Sequence, residues 1–170
     1  MSKKIKNNKN YQVIDDFLPR EIFLKIQNEI LDADFPWYYT PDINEYEKKI
    51  NSCYFTHMFY SAAVFKKSTH FDILLPLIHK IKPKALLRIK CNLYPVTTKI
   101  VKHKTHIDYN YPHNAAIFSI NTCNGATILD DDTKIDSVEN RLLLFDASKP
   151  HSSTSTTNSN ARININWNYF

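Results

Sequence analysis

The chain has 170 residues, 43% of them hydrophobic and 23% charged, which suits one soluble globular domain with a core of its own. A single glycine excludes the P-loop, the dinucleotide fingerprint and the strained nucleophile turn, all of which need several. The formal charge of +5 is mostly a terminal feature: Lys3, Lys4, Lys6 and Lys9 fall in the first ten residues, which hold no acid and leave the body at +1.

Residues 1–10 have little apolar content to offset the entropy of ordering, so a disordered basic tail is expected there, followed by one domain over residues 11–170. A solvated tail is favoured over a nucleic-acid arm, and nucleic acid is not expected as a partner. The cysteines Cys53, Cys91 and Cys123 are odd in number and widely spaced, without a C-x-x-C, which fits reduced thiols in a cytoplasmic setting. No export signal and no stretch of 18 apolar residues is present, so no membrane partner is expected.

Along the body, the stretch from Tyr11 to Pro19 reads as a strand running into a turn. Pro19 stands where a helix begins, and Ile22, Phe23, Ile26, Ile30 and Leu31 recur at helical spacing to about Ala33. Residues 35–67 are aromatic-rich without a clean period and read as irregular structure with short strands. A second helix is expected from Thr69, capped by its side chain with Asp72 three residues on, carrying Phe71, Leu74, Leu75, Leu77, Ile78 and Ile81 and kinked by Pro76 before Pro83 ends it.

Beyond the second helix short strands dominate, at residues 85–94, 115–121, 126–129, 141–146 and 161–169, with residues 152–160 as a polar connecting loop. Helices first and strands afterwards predict a β-sandwich or barrel backed by helices. The last strand alternates: Arg162, Asn164, Asn166 and Asn168 share one face, and Ile163, Ile165, Trp167 and Tyr169 the other. Arg88, Lys90, Asn92 and Tyr94 repeat the pattern. Either the polar faces meet solvent, or the helices cover the apolar faces and the polar faces line a cavity. The second reading is preferred because two helices need a sheet to cover. A guanidinium turned inward without a partner costs several kcal/mol, so an inward Arg162 predicts an anion.

Two His-x-Asp sequences occur, His70-Phe-Asp72 and His106-Ile-Asp108. With 7 His and 17 acids in 170 residues, chance supplies roughly one His-x-acid match, so the motif alone decides nothing. Residues i and i+2 point the same way on a strand but not on a helix. His70 and Asp72 open a predicted helix and are set aside, whereas His106 and Asp108 border the strand region and can converge. His151, which follows the apolar strand at 141–146, is the natural third ligand. Two imidazoles and one carboxylate on one face of a metal leave positions open for a co-substrate and dioxygen, as non-haem iron(II) requires. The acidic run Asp130 to Asp132 is read as a solvated turn, and the aromatics of residues 35–39 and 54–59 as packing.

The residues from Tyr11 to Phe170, most clearly from Arg88 onward, resemble the iron(II)- and 2-oxoglutarate-dependent oxygenases. The likeness is to their prolyl-hydroxylase-like branch and its small single-domain members of phages and bacteria. The family's His-x-Asp…His triad falls on His106, Asp108 and His151, and its basic residue for the far carboxylate of 2-oxoglutarate on Arg162. Tyr94-Pro95 resembles the Tyr-Pro whose phenol lies beside the co-substrate. Asn121 with Gly125-Ala-Thr127, and Leu143-Leu-Phe-Asp with Pro150-His151, resemble further family strands.

Two positions depart from the pattern. Asn124 replaces one of the family's paired glycines, and Ser119 replaces a second co-substrate tyrosine, so Asn166 or Lys90 is expected to assist Arg162. The resemblance implies a mostly β fold, a double-stranded β-helix (jelly roll) buttressed by two N-terminal helices. It implies iron(II), 2-oxoglutarate and dioxygen as cofactor and co-substrates, and hydroxylation of a substrate, best guessed as a prolyl residue of a peptide or protein. An oxygenase of small metabolites or nucleotides, and a non-enzymatic jelly roll that binds a metal or ligand, are the alternatives.

Overall fold

The computed structural model describes residues 5–41 and 53–170. Among the described residues twelve strands are formed: β1 (Ile5–Asn7), β2 (Tyr11–Ile14), β3 (Tyr38–Thr40), β4 (Tyr54–Ser61), β5 (Lys66–Lys67), β6 (Leu86–Pro95), β7 (Asn114–Ser119), β8 (Ala126–Ile128), β9 (Lys134–Asp136), β10 (Leu142–Asp146), β11 (Ser152–Ser153) and β12 (Ala161–Tyr169). The helices are α1 (Arg20–Leu31) and α2 (Leu75–Ile81), the latter preceded by a 3-10 turn at Phe71–Leu74. Among the described residues the larger sheet runs β1-β2-β10-β7-β12-β6-β4-β3, with β5 beside β4, and the smaller runs β11-β8-β9. Every pairing between these strands is antiparallel. Two sheets of this order, with the helices on the outside of the larger one, make the expected jelly roll.

β12 lies at the centre of the large sheet, between β6 and β7. Its apolar face packs under the helices: Ile163, Ile165 and Trp167, with Ile89 and Cys91 of β6, share one core with Phe23, Ile26 and Ile30 of α1 and Leu74 and Leu77. Each fully buried side chain of this kind contributes roughly 1.5–3 kcal/mol. The approach to α1 is fixed by Asn140, a buried residue in the left-handed region (φ 59°), whose amide accepts from the Leu18 N–H at 2.9 Å and donates to the Leu18 carbonyl at 2.8 Å.

Several expectations need correction. The tail is not wholly disordered: Ile5–Asn7 pair with β2, and the Gln12 amide donates to Asn7 at 2.8 Å. This strand is exposed, so main-chain ladder bonds to an otherwise open sheet edge hold it rather than apolar burial; residues 1–4 lie outside the described residues. Residues 35–67 hold a long strand of the large sheet, β4, and not merely irregular chain; the part of that span at 42–52 is outside the described residues. Thr69 makes no side-chain cap, because the second helix starts later, at Leu75, and Pro76 falls in its first turn, where its missing N–H costs nothing and no kink follows. Residues 152–156 are not a solvated loop. They form β11 and a continuation in which Ser152, Thr154, Ser155 and Thr156 are buried with their hydroxyls or main chain hydrogen-bonded, for instance Ala126 N–H to Thr154 Oγ1 at 2.8 Å.

Candidate metal and co-substrate site

The polar faces of β6 and β12 turn inward. Arg162, Asn164 and Asn168 are 1%, 3% and 0% exposed and Asn92 is 3%, values that decide against the solvated-face alternative. Asn92, Tyr94, Arg162, Asn164 and Asn166, with Ile117 of the neighbouring β7, line a cavity of about 320 Å³, open to solvent, whose other wall is Thr127 and Ser152–Ser153 of the smaller sheet, with His106 and His151 at its rim. Among the described residues, six buried side-chain polar atoms lack a partner. Five of them (Arg88 Nε, Asn92 Oδ1, Arg162 Nε, Asn166 Oδ1 and Asn168 Oδ1) sit on the inward positions of these two strands. Native interiors tolerate few such groups, so their concentration here marks a surface built for a polar occupant.

His106 and His151 face each other across an antiparallel bridge, closed by reciprocal main-chain bonds of 2.9 Å. Their rings stand 4.7 Å apart, and one ligand atom from each of His106, Asp108 and His151 lies within 4.8 Å of the others. The Nε2 atoms are 3.8 Å (His106) and 3.9 Å (His151) from the Asp108 carboxylate. Each Nδ1 donates to a carbonyl two residues upstream, Lys104 for His106 (3.2 Å) and Lys149 for His151 (3.1 Å), which fixes the tautomer that leaves Nε2 as a lone-pair donor. His151 is buried, and that burial lowers its pKa, with Asp108 opposing, so the neutral ring is favoured.

Asp108 is held by its surroundings. Burial alone would raise its carboxyl, but Arg88 (2.9 Å to Oδ1), the Asn168 amide (2.7 Å to Oδ2), His151 and His106 outweigh it and hold the pKa at about 2. Asn168 also contacts His113 Nε2 at 3.3 Å, and the Asn166 amide reaches Asp108 Oδ2 at 3.3 Å. The three groups suit a divalent metal: a carboxylate ionised at any ordinary pH and two imidazoles with free Nε2 atoms, a set matching the two-histidine, one-carboxylate arrangement of non-haem iron.

Arg162 is built into the same cavity. Asn121 grips the strand on either side of it, donating to the Ala161 carbonyl (2.7 Å) and accepting from the Ile163 N–H (2.8 Å). Its guanidinium donates to Thr127 Oγ1 (2.9 Å) and to the Thr154 carbonyl (3.3 Å) and lies 5.8 Å from the Tyr94 ring centre. No acid lies within ion-pair distance of it among the described residues. Burial depresses its pKa, with Tyr94 and Cys123 opposing. A cation this deep with an unpaired Nε calls for a carboxylate, which its fork can bind with two bonds. Gly125 makes the position possible: a Cβ there would lie 2.6 Å from Arg162 Cδ and 2.7 Å from the Ser155 carbonyl oxygen.

Tyr94 is buried against His103 (ring centres 5.0 Å) and stacked on Tyr54 at 5.6 Å. Burial pushes its phenol up, while Arg162 and a hydrogen bond with Ser153 pull it back. The expected helpers of Arg162 sit elsewhere. Asn166 is turned to Asp108, and Lys90, opposite Asn166 in the register, is four residues along β6 from the Tyr94–Arg162 pair; Thr127 is the side chain that bonds the guanidinium. Sequence reasoning also missed Arg88 and Asn168 as the groups that orient Asp108, although both stood on the alternating faces already noted. His70 and Asp72 do not converge: His70 pairs with Glu29 (2.7 Å) and Asp72 with Lys67 (3.2 Å). Asp130 to Asp132 are exposed, with Asp132 3.6 Å from Lys102.

No protein-family model and no curated protein sequence matches the chain. Solved structures do. The Trichoplax adhaerens prolyl hydroxylase, solved with a peptide of the hypoxia inducible factor oxygen degradation domain, superposes with a TM-score of 0.70 over 96% of this chain and 84% of its own, at 14% identity. The viral collagen prolyl hydroxylase of Paramecium bursaria Chlorella virus-1, solved with 2OG, gives 0.64 over 95% and 96% at 13% identity. The non-haem α-ketoglutarate-dependent epimerase SnoN of nogalamycin biosynthesis gives 0.66 over 95% and 77% at 12% identity. The fold is therefore the jelly roll of the non-haem iron, 2-oxoglutarate oxygenases, prolyl hydroxylases among them.

Proposed function

We propose that this protein is an iron(II)- and 2-oxoglutarate-dependent dioxygenase of the hydroxylase type. The observation that carries the reading is the buried Arg162 guanidinium, without a counter-ion among the described residues, in the cavity lined also by His106 and His151, which cluster with Asp108. A non-enzymatic metal module would explain the triad alone, but it leaves an uncompensated guanidinium at the bottom of the cavity unaccounted for.

In this reading His106, Asp108 and His151 hold iron(II), and Arg162 takes the far carboxylate of 2-oxoglutarate with Thr127 and Tyr94 beside it. When bound, the metal supplies the coupling of dioxygen reduction and 2-oxoglutarate decarboxylation to oxidation of a substrate C–H bond. The chain's contribution is placement. Arg88 and Asn168 keep Asp108 ionised and fixed in rotamer, and the Lys104 and Lys149 carbonyls keep both Nε2 lone pairs directed at one point. Burial of Arg162 strengthens its grip by removing competing water. No side chain is required as a general base.

For substrate we infer a prolyl residue of a peptide or protein, supported by the fold shared with two prolyl hydroxylases, one of them solved with a peptide. The three cysteines are unpaired and no helix among the described residues is long and apolar enough to cross a membrane, which supports a reducing, cytoplasmic location. Anaerobic addition of iron(II) and then 2-oxoglutarate tests the activity class: a weak visible charge-transfer band is expected in the wild type and is expected to be absent in His106→Ala and Arg162→Ala. A wild-type protein that binds iron but gives no band with 2-oxoglutarate refutes the proposal.

A further inference from the structure

Lys90 is the cation on the inward face of β6 that the site described above does not use. Arg88, on the same face, is spent on Asp108 at 2.9 Å. Asn92 and Tyr94, next on that face, line the cavity. The half-buried Lys90 makes no hydrogen bond and no ion pair among the described residues; its ammonium sits 5.6 Å over the Tyr54 ring. Burial and the neighbouring Arg88 depress its pKa to about 8 in spite of Asp108.

Position separates Lys90 from the co-substrate arginine. Lys90 pairs with Asn166 and Tyr94 with Arg162, so the main-chain positions of the two residues are four apart in register, roughly 13 Å along the strands, and between their side chains stand the stacked rings of Tyr54 and Tyr94. Lys90 is at the Asp108 end and one strand outward, facing the side where β4 brings Met58 into register with it. With a divalent metal and the two carboxylates of 2-oxoglutarate in place, Asp108, Arg88, Arg162 and Lys90 would still leave the cavity net positive.

We infer that Lys90, over Tyr54, forms an anion subsite for the substrate to be oxidised, so that this substrate carries a carboxylate or phosphate group near the atom that reacts. The inference rests on the oxygenase reading and narrows its substrate class. Tyr54 supplies a flat wall under the ammonium, which acts as a point charge able to bind either anion.

The test uses whole protein loaded with zinc in place of iron and saturated with 2-oxoglutarate, with lysine side chains carbon-13 labelled. The Lys90 ε-methylene resonance, identified by its loss in Lys90→Met, is titrated separately with inorganic phosphate, N-acetyl-L-proline and N-acetyl-L-proline amide. A saturable shift is expected with phosphate or the free acid, about tenfold weaker or absent with the amide, the discrimination one charge-assisted contact provides; whichever anion acts at lower concentration names the group. Calorimetry on the same zinc-loaded protein should give Lys90→Met the wild-type affinity for 2-oxoglutarate within about twofold, with binding lost in Arg162→Ala. A resonance that ignores both anions overturns the inference, as does equal response to the amide. Loss of 2-oxoglutarate binding in Lys90→Met also overturns it by assigning the lysine to the co-substrate. Failure of the oxygenase reading itself is seen separately, as failure of the wild type to bind 2-oxoglutarate.

Discussion

Gly125→Ala tests whether the cavity positions Arg162 as closely as the geometry indicates. The added methyl would meet Arg162 Cδ at 2.6 Å and the Ser155 carbonyl oxygen at 2.7 Å, both below the 3.0 Å that real Cβ contacts respect. The two obstacles differ. Ser155 oxygen is main chain in a segment whose N–H donates to the Val101 carbonyl at 2.9 Å, so it yields little. The arginine stem must therefore move, by something of the order of 1 Å, while its guanidinium is tied to Thr127 at 2.9 Å and Thr154 at 3.3 Å. Displacement on that scale breaks at least one tie and misaligns the fork for a carboxylate. We expect 2-oxoglutarate affinity to fall about 10–100-fold, about 1.4–2.8 kcal/mol, with an overpacking cost to stability of about 1–3 kcal/mol. Metal affinity should hold, because His106, Asp108 and His151 are untouched. Calorimetric titration of 2-oxoglutarate into zinc-loaded variant and wild type, with urea unfolding in parallel, reads both quantities. A folded variant that binds 2-oxoglutarate within about twofold of wild type refutes the claim that the missing side chain at Gly125 sets the position of Arg162.

Other consequences concern the metal end and the cavity wall. Asn168→Leu keeps the branched outline of the side chain but removes the 2.7 Å bond to Asp108 and the contact to His113, so zinc or iron(II) affinity measured by equilibrium dialysis should drop about 10–100-fold, while 2-oxoglutarate still requires Arg162. His103 is buried, with burial first and then Arg162 and His106 lowering its pKa to about 4 from 6.5. The unfolded chain thus takes up the proton first, so the stability His103 contributes is complete above pH 6.5 and is lost as pH falls from 6.5 through 4, up to roughly 3 kcal/mol. Urea unfolding of wild type and His103→Asn should show the wild type losing more stability over that window; parallel pH curves would contradict it. Trp167→Ala empties the fully buried centre of β12 beneath α1 and should cost about 3–5 kcal/mol in urea unfolding, a loss of under 1 kcal/mol being incompatible with the packing described.

The sequence made the central strand readable because period-two alternation survives wherever two chemically different surfaces flank a sheet. In β12 one face meets the helices and the other the cavity, so isoleucine and tryptophan alternate with asparagine and arginine. β4 borders the same two compartments but carries aromatic residues toward both, with Phe59 in the helix-side core and Tyr54 stacked on Tyr94; a bulge between Met58 and Tyr60 further disturbs the count. Its alternation was therefore invisible in composition although its burial alternates at His57, Phe59 and Ser61. The buried stretch 152–156 was hidden for another reason: serine and threonine look like a loop until their hydroxyls find partners, and those partners, at Thr97, Asn124 and Ala126, are remote in sequence.

The same distinction separates what could be read of the site. His106 and Asp108 announced themselves by spacing, and Arg162 by the company it kept on a polar face. The groups that make those residues useful did not, because each acts through a contact closed only by the fold: Arg88 reaches Asp108 across 20 positions, Asn168 across 60, and Thr127 reaches Arg162 across 35. The lone glycine is a case of both. Its scarcity excluded phosphate-binding loops at the outset, yet the reason for its one occurrence, room for an arginine stem between β8 and the main chain at Ser155, exists only when residues 125, 155 and 162 have been brought together. Arg88 and Arg162 stand on equivalent inward faces of neighbouring strands, but one is neutralised by Asp108 and the other by no acid among the described residues. That difference in partners, absent from the alternation itself, is what turns a polar cavity into a reading about an anionic co-substrate.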